Sequence, residues 1–191
     1  SEATLLEMTG AFAGILNCGS SVTPYGLIDL RLQGDEEPLM GQGGGINERV
    51  ISRAAAEQLI YMMSQVVDRG TGKRARLPDR EAAGKTGTTQ AWRDAWFLGF
   101  TADYVVGVWM GNDDNSSLGR ITGGTFPAEI WRETMLQINQ DLPATPLPML
   151  RVAEPPKVQI IPEVQPAQSE NDVAETVLLD VLRSIFGTRE R

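Results

Sequence analysis

The chain has 191 residues, 41% of them hydrophobic, and a formal charge of −8, which is enough apolar material for one domain of ordinary size and the wrong sign of field to hold nucleic acid phosphates. It contains no histidine and a single cysteine, Cys18. Alone it supplies no Ser-His-Asp or Cys-His machinery, no histidine-held metal and no intrachain disulfide, so the expectation is a site with no metal and no cofactor, built on Lys, Ser, Thr, Asp, Glu, Tyr or backbone groups.

Residues 4–17 predict a short helix from the stripe Leu5, Leu6, Met8, Phe12, Ile15 and Leu16, stopped by Gly19. Cys18 lies in an apolar stretch and is expected to be a small buried hydrophobe. Residues 26–31 and 38–40 read as a hairpin across the polar turn Gln33-Gly34-Asp35-Glu36. Residues 41–45, four of them glycine, read as a flexible break. The longest helix is predicted over about 53–68, capped by Ser52 and ended by Gly70.

Three short strands should follow, over 81–89, 94–100 and 104–110. Only Thr101-Ala102-Asp103 separates the last two, so they form an antiparallel hairpin. Trp96, Leu98 and Phe100 fall on one face, and Ala95, Phe97 and Gly99 on the other. Both faces are apolar, so helices should cover both. A further helix starts near Pro127, with Glu129 in its first turn and Trp131, Met135 and Ile138 on its inner face.

From Asp141 the composition turns proline-rich. The predicted organisation is therefore a body over 1–140, a linker over 141–171, and a C-terminal segment 172–191 whose residues 172–187 form an amphipathic helix. That helix either packs back on the body or docks an assembly partner. No run approaches the ~20 apolar residues of a membrane span, and the N-terminal residues lack the basic start of a signal peptide. An exported parent is expected to carry such signals upstream.

The segment that points to chemistry is Ala83-Gly84-Lys85-Thr86-Gly87-Thr88-Thr89. A nucleotide P-loop needs a glycine where Asp79 stands and a helix straight after the lysine, and it has neither. Gly70-x-Gly72-x-x-Ala75 follows a helix instead of a strand, so it is no dinucleotide fingerprint. A strand edge lining a cleft fits better. There Lys85 supplies a cation, Gly87 lets a peptide-like substrate lie against the backbone, Thr86, Thr88 and Thr89 offer hydroxyls to a carboxylate, and the Thr88 N–H can face a developing oxyanion. From these residues alone, a lysine on an ordinary edge strand stands equally open.

Lys85-Thr86-Gly87-Thr88 resembles the third motif of the serine penicillin-recognising enzymes, whose other two are Ser-x-x-Lys and Ser-x-Asn. Residues 94–101 (Asp-Ala-Trp-Phe-Leu-Gly-Phe-Thr) and 106–113 (Val-Gly-Val-Trp-Met-Gly-Asn-Asp) are similar to the bifunctional class A penicillin-binding proteins. So are residues 5–12, Arg69-Gly70-Thr71-Gly72 and residues 122–128. The resemblance spans roughly residues 1–140. It implies an α/β chain of the α+β type, part of the β-lactamase/transpeptidase-like fold, with an antiparallel sheet between helices. It also implies a D,D-transpeptidase that cross-links peptidoglycan stem peptides ending in D-Ala-D-Ala, is acylated by β-lactams, and works at the periplasmic face of the inner membrane beside an upstream glycosyltransferase domain. Lys85 would tune the electrostatics of the catalytic hydroxyl, with Thr86, Gly87, Thr88 and Thr89 binding substrate. A non-catalytic assembly module, a D,D-carboxypeptidase and a serine β-lactamase are the alternatives.

One departure bears on activity. The chain has three lysines, Lys73, Lys85 and Lys157, preceded three residues earlier by Gly70, Ala82 and Glu154, so it contains no Ser-x-x-Lys. Its sole Ser-x-Asn, Ser169-Glu170-Asn171, lies in the tail, after the lysine motif, whereas the family order puts it before. The expectation is a chain that works with an upstream half and is inactive alone.

Overall fold

The computed structural model describes residues 3–41 and 43–151. Helix α1 (Leu5–Leu16) opens on a reciprocal cap: Thr4 Oγ1 accepts from the Glu7 N–H at 3.2 Å while Glu7 Oε2 accepts from the Thr4 N–H at 2.7 Å. The Thr4 N–H, and after it the Thr4 hydroxyl, which donates to Glu7 Oε2 at 2.9 Å, hold the Glu7 carboxyl below its ordinary range. The helix ends at Asn17, and the chain turns through two left-handed residues, Cys18 at φ 58° and Gly19 at φ 91°. A side chain at Gly19 would collide with the Ile51 carbonyl at 2.3 Å, which keeps the position glycine. Cys18 is partly exposed at this corner, not buried, because the turn swings it clear of the apolar stripe before it.

Strands β1 (Ser20–Thr23) and β4 (Gly45–Arg49) pair antiparallel. Between them β2 (Asp29–Leu30) and β3 (Met40–Gly41) form a two-residue ladder at the base of the expected hairpin. At the ends of the break expected at 41–45, Gly41 closes β3 and Gly45 opens β4, and a side chain on Gly44 would meet the Thr23 carbonyl at 2.3 Å. Helix α2 (Arg53–Asp68) is capped by Ser52, whose hydroxyl accepts from the Ala55 N–H at 3.2 Å.

The sheet that matters for function is three-stranded and antiparallel, in the order β5 (Ala83–Thr88), β6 (Asp94–Phe100), β7 (Val105–Gly111). Lys85 stands opposite Leu98, Thr86 opposite Phe97, Gly87 opposite Trp96 and Thr88 opposite Ala95. Because opposed residues share a face, Lys85 and Gly87 join Trp96, Leu98 and Phe100 on one side. That side is covered by α1 and α2 through Phe12, Ile60 and Met63, with the Phe12 and Phe100 rings edge to face at 6.5 Å. Thr86 and Thr88 lie on the other side with Phe97.

Helix α3 (Phe126–Ile138) covers that second side. Trp131 is fully buried, meets Phe97 edge to face at 5.3 Å, and donates from Nε1 to the carbonyls of Gly99 and Val106. Ile138, expected to face inward, is 38% exposed. The inner stripe ends instead on Asn139, which is buried because its side chain serves a polar cluster. Arg80 donates to Asn139 Oδ1, to the Asn139 carbonyl and to the Leu142 carbonyl, which closes the C-terminal end of α3. No helix among the described residues is long and apolar enough to cross a membrane.

The linker expected from residue 141 does not leave the body there. Leu147 is buried against Ile60 and Phe100, its N–H donates to Glu81 Oε2 at 2.8 Å, and Arg151 grips both Glu81 oxygens at 2.6 and 3.0 Å. The prolines do not release this stretch, because it is anchored by individual residues that composition hides. Residues 152–171 and the predicted helix at 172–187 lie outside the described residues. The Arg151 bond, and secondarily the Leu147 N–H, hold the Glu81 carboxyl below its ordinary value of 4.5. A carboxyl depressed by folding adds stability above its unfolded pKa and loses it as pH falls through the folded one. The melting temperature of the native chain should therefore exceed that of Glu81→Gln at neutral pH, and the gap should close as thermal melts are taken below pH 4.5. A gap that stays constant with pH would contradict this assignment.

Candidate functional site

The lysine-threonine-glycine segment is strand β5, at an edge of the sheet. Thr89 donates its N–H to the Asp94 carbonyl at 3.0 Å. Alternation along an antiparallel pair therefore points the N–H and C=O of Thr88 and Thr86 away from β6, toward the open edge. No strand among the described residues pairs with that edge. Lys85 is exposed and its Nζ donates to the Thr86 carbonyl at 2.7 Å, which sets the ammonium at the same edge.

The two faces of β5 differ. On the α1 side is a largely apolar hollow of about 310 Å³, lined by Met8, Phe12, Lys85, Gly87, Trp96 and Leu98 among others. On the α3 side is an open hollow of about 380 Å³ lined by Thr71, Thr86, Thr88, Thr122 and Gly124. The second is built by loops. Thr86 Oγ1 lies 2.8 Å from Thr71 Oγ1. Thr88 Oγ1 accepts from the Gly123 N–H at 3.1 Å, which leaves the Thr88 hydroxyl proton free to donate. The loop carrying Gly123 is braced internally, since the Thr122 N–H reaches Thr125 Oγ1 at 3.1 Å and Thr125 Oγ1 donates back to the Thr122 carbonyl at 2.7 Å. Gly123 lies so close on the sheet that a Cβ there would stand 2.1 Å from the Trp96 carbonyl, and one on Gly124 would stand 2.2 Å from the Thr71 carbonyl.

Thr89 differs from its two neighbours. Its hydroxyl donates to Asp94 Oδ2 at 3.1 Å and accepts from the Asp94 N–H at 2.9 Å, so both functions close the turn between β5 and β6. The other carboxylate oxygen of Asp94 accepts from Trp109 Nε1 at 3.0 Å. Of the site residues expected from sequence, Lys85, Thr86, Gly87 and Thr88 are presented together on one exposed edge, while the hydroxyl of Thr89 is committed within the protein. Sequence reasoning did not give roles to Thr71, Gly123 or Asp94. The first two lie in segments that carry the family resemblance, 69–72 and 122–128, which does not say what each loop touches.

Residues 1–136 match the family of the penicillin binding protein transpeptidase domain. Penicillin-binding protein 1A of Aquifex aeolicus (strain VF5) is 32% identical over 143 residues, covering 74% of this chain and 19% of the relative. Penicillin-binding protein 1A of Pseudomonas aeruginosa is 42% identical over 113 residues, 58% of this chain and 13% of the relative. Among solved structures, penicillin-binding protein 1A from Haemophilus influenzae matches with a TM-score of 0.66 at 25% identity, over 81% of this chain and 28% of that one. The D,D-transpeptidase domain of a peptidoglycan glycosyltransferase from Eggerthella lenta matches with a TM-score of 0.58 at 28% identity, over 74% and 33%. The chain spans about a fifth or less of the length of these two curated relatives. The helices on both faces of an antiparallel sheet are those of this fold, and the chain belongs to the penicillin-binding-protein transpeptidase family, as part of the transpeptidase domain of a class A member.

Proposed function

We propose that this chain supplies the carboxylate-binding and oxyanion-stabilising half of a D,D-transpeptidase site for peptidoglycan stem peptides. The serine comes from a Ser-x-x-Lys segment outside these 191 residues. The observation that carries the reading is the outer edge of β5, where the Thr88 N–H faces outward beside two threonine hydroxyls and the Lys85 ammonium.

In the reaction, the serine oxygen attacks the carbonyl of the penultimate D-alanine. The negative charge that develops on the carbonyl oxygen meets the Thr88 N–H. The C–N bond then breaks, the terminal D-alanine leaves with the proton, and an ester to serine remains. An amine of a neighbouring stem attacks that ester, forms the cross-linking amide and returns the proton to serine. Until the D-alanine departs, its terminal carboxylate is held by Thr86 and Thr88, and in both steps Lys85 lowers the cost of placing negative charge at the edge. β-Lactams carry a carboxylate and a strained amide carbonyl in a similar relation and would acylate the same serine. The setting that goes with this reading is the periplasmic face of the inner membrane, in a longer protein that also carries a glycosyltransferase domain.

The binding half of the proposal can be checked on the chain itself. Titration with N-acetyl-D-alanyl-D-alanine should shift the amide resonances of Thr86, Thr88 and Gly123 in a saturable manner, while the L,L peptide should shift them several-fold less. Shifts confined to other regions would overturn it.

A further inference from the structure

We infer that Thr71, in the loop that follows α2, is a positioning residue for the carboxylate site: its hydroxyl donates into Thr86 so that the Thr86 proton is free for the ligand. This rests on the reading above that Thr86 binds a carboxylate.

The two hydroxyl oxygens are 2.8 Å apart and share one hydrogen bond, in which either can be the donor. A carboxylate is an acceptor only. When it takes the Thr86 proton, Thr86 cannot also donate to Thr71, so the bond between them must run from Thr71 to Thr86. A hydroxyl that accepts one bond donates the next more strongly. Thr88 is arranged in the same way through a different donor, the Gly123 N–H. The two hydroxyls on this face of β5 thus each have a protein donor aimed at their oxygen, and each presents its proton to the same hollow.

Thr71 is held where this requires. The Gly72 N–H donates to the Val66 carbonyl at 2.9 Å, tying the loop to the end of α2. A Cβ on Gly72 would lie 3.1 Å from the Phe97 ring, and one on Gly124 would lie 2.2 Å from the Thr71 carbonyl, so the loop is seated between the sheet core and the residue 122–125 loop. Thr71 itself is exposed, so its side chain fills no core space that would otherwise explain it.

The test compares the 191-residue chain with Thr71→Val, Thr71→Ala and Thr71→Ser by titration with N-acetyl-D-alanyl-D-alanine and with its C-terminal amide. The expected result is a ratio of acid to amide affinity lowered about fivefold to tenfold in the valine and alanine variants, and restored to within about twofold by serine. A general disturbance of the loop would weaken both ligands alike and leave the ratio unchanged. An unchanged ratio in both valine and alanine variants, with normal binding by the native chain, overturns the role of Thr71. Absence of binding by the native chain overturns the carboxylate reading itself, and this inference with it.

Discussion

Replacing Trp131 by alanine should destabilise the body by about 3–5 kcal/mol and lower its melting temperature by on the order of 10 °C. Trp131 is the largest fully buried side chain. It joins α3 to the sheet in three ways, through ring contact with Phe97, through its place in the cluster with Val67, Leu77 and Met135, and through the Nε1 bonds to Gly99 and Val106. The sheet cannot collapse onto the vacancy, because Gly99 already sits with its backbone against the indole. A Cβ there would lie 3.0 Å from the ring and 2.9 Å from the Ala83 carbonyl. Trp131→Phe separates the contributions, since it keeps most of the apolar contact and removes the N–H, for about 1–2 kcal/mol. Urea unfolding of the three proteins measures this, and a loss below 1 kcal/mol for the alanine variant would contradict the account of α3 as the helix that fixes the sheet.

What could be read from the sequence followed the strength of local pattern. The three helices and three main strands were legible because their apolar residues recur with clear periods and their ends carry caps, tight turns or glycine. The sidedness of β6 was legible for the same reason, and it was enough to call for helices on both faces. The pairing of β1 with β4 was not. It joins Ser20-Ser21-Val22-Thr23 to Gly45-Ile46-Asn47-Glu48-Arg49, two segments with little alternation, across more than twenty intervening residues. Ile46 there is 65% exposed, so burial leaves no imprint on the pattern. Residues 141–151 misled in the opposite way. Proline content suggested departure, while Leu147, Arg151 and the backbone bonds of Leu142 and Leu150 keep the segment in place.

The candidate site was legible as a strand and not as a cluster. The motif and its family resemblance pointed to Lys85, Thr86, Gly87 and Thr88, without the faces they occupy. Spacing could not separate Thr88 from Thr89, since both are threonines at a strand end. Only the position of Asp94 shows that one hydroxyl is committed and the other is not. Nor could it bring Thr71 and Gly123 to the back of β5, because contacts across 15 and 35 residues of separation leave no local trace.

The described edge of β5 presents the Thr88 N–H, two threonine hydroxyls and the Lys85 ammonium, and no Ser-x-x-Lys occurs in the 191 residues. A site with stabilising groups and no activated nucleophile retains binding and loses the covalent pathway, because the members of such a pathway act as a unit. Binding and acylation should therefore separate completely in this chain: the carboxylate ligand shifts Thr86 and Thr88, while no acyl-enzyme forms.

Incubation of the folded 191-residue chain with a fluorescent penicillin, followed by denaturation and mass measurement, tests this most directly, with cooperative thermal melting of the same sample as the control for folding. The account predicts no covalent adduct on the chain alone, and one adduct per molecule when the chain is joined to a preceding segment that carries Ser-x-x-Lys and Ser-x-Asn. A stoichiometric adduct on the chain alone that survives denaturation would contradict it.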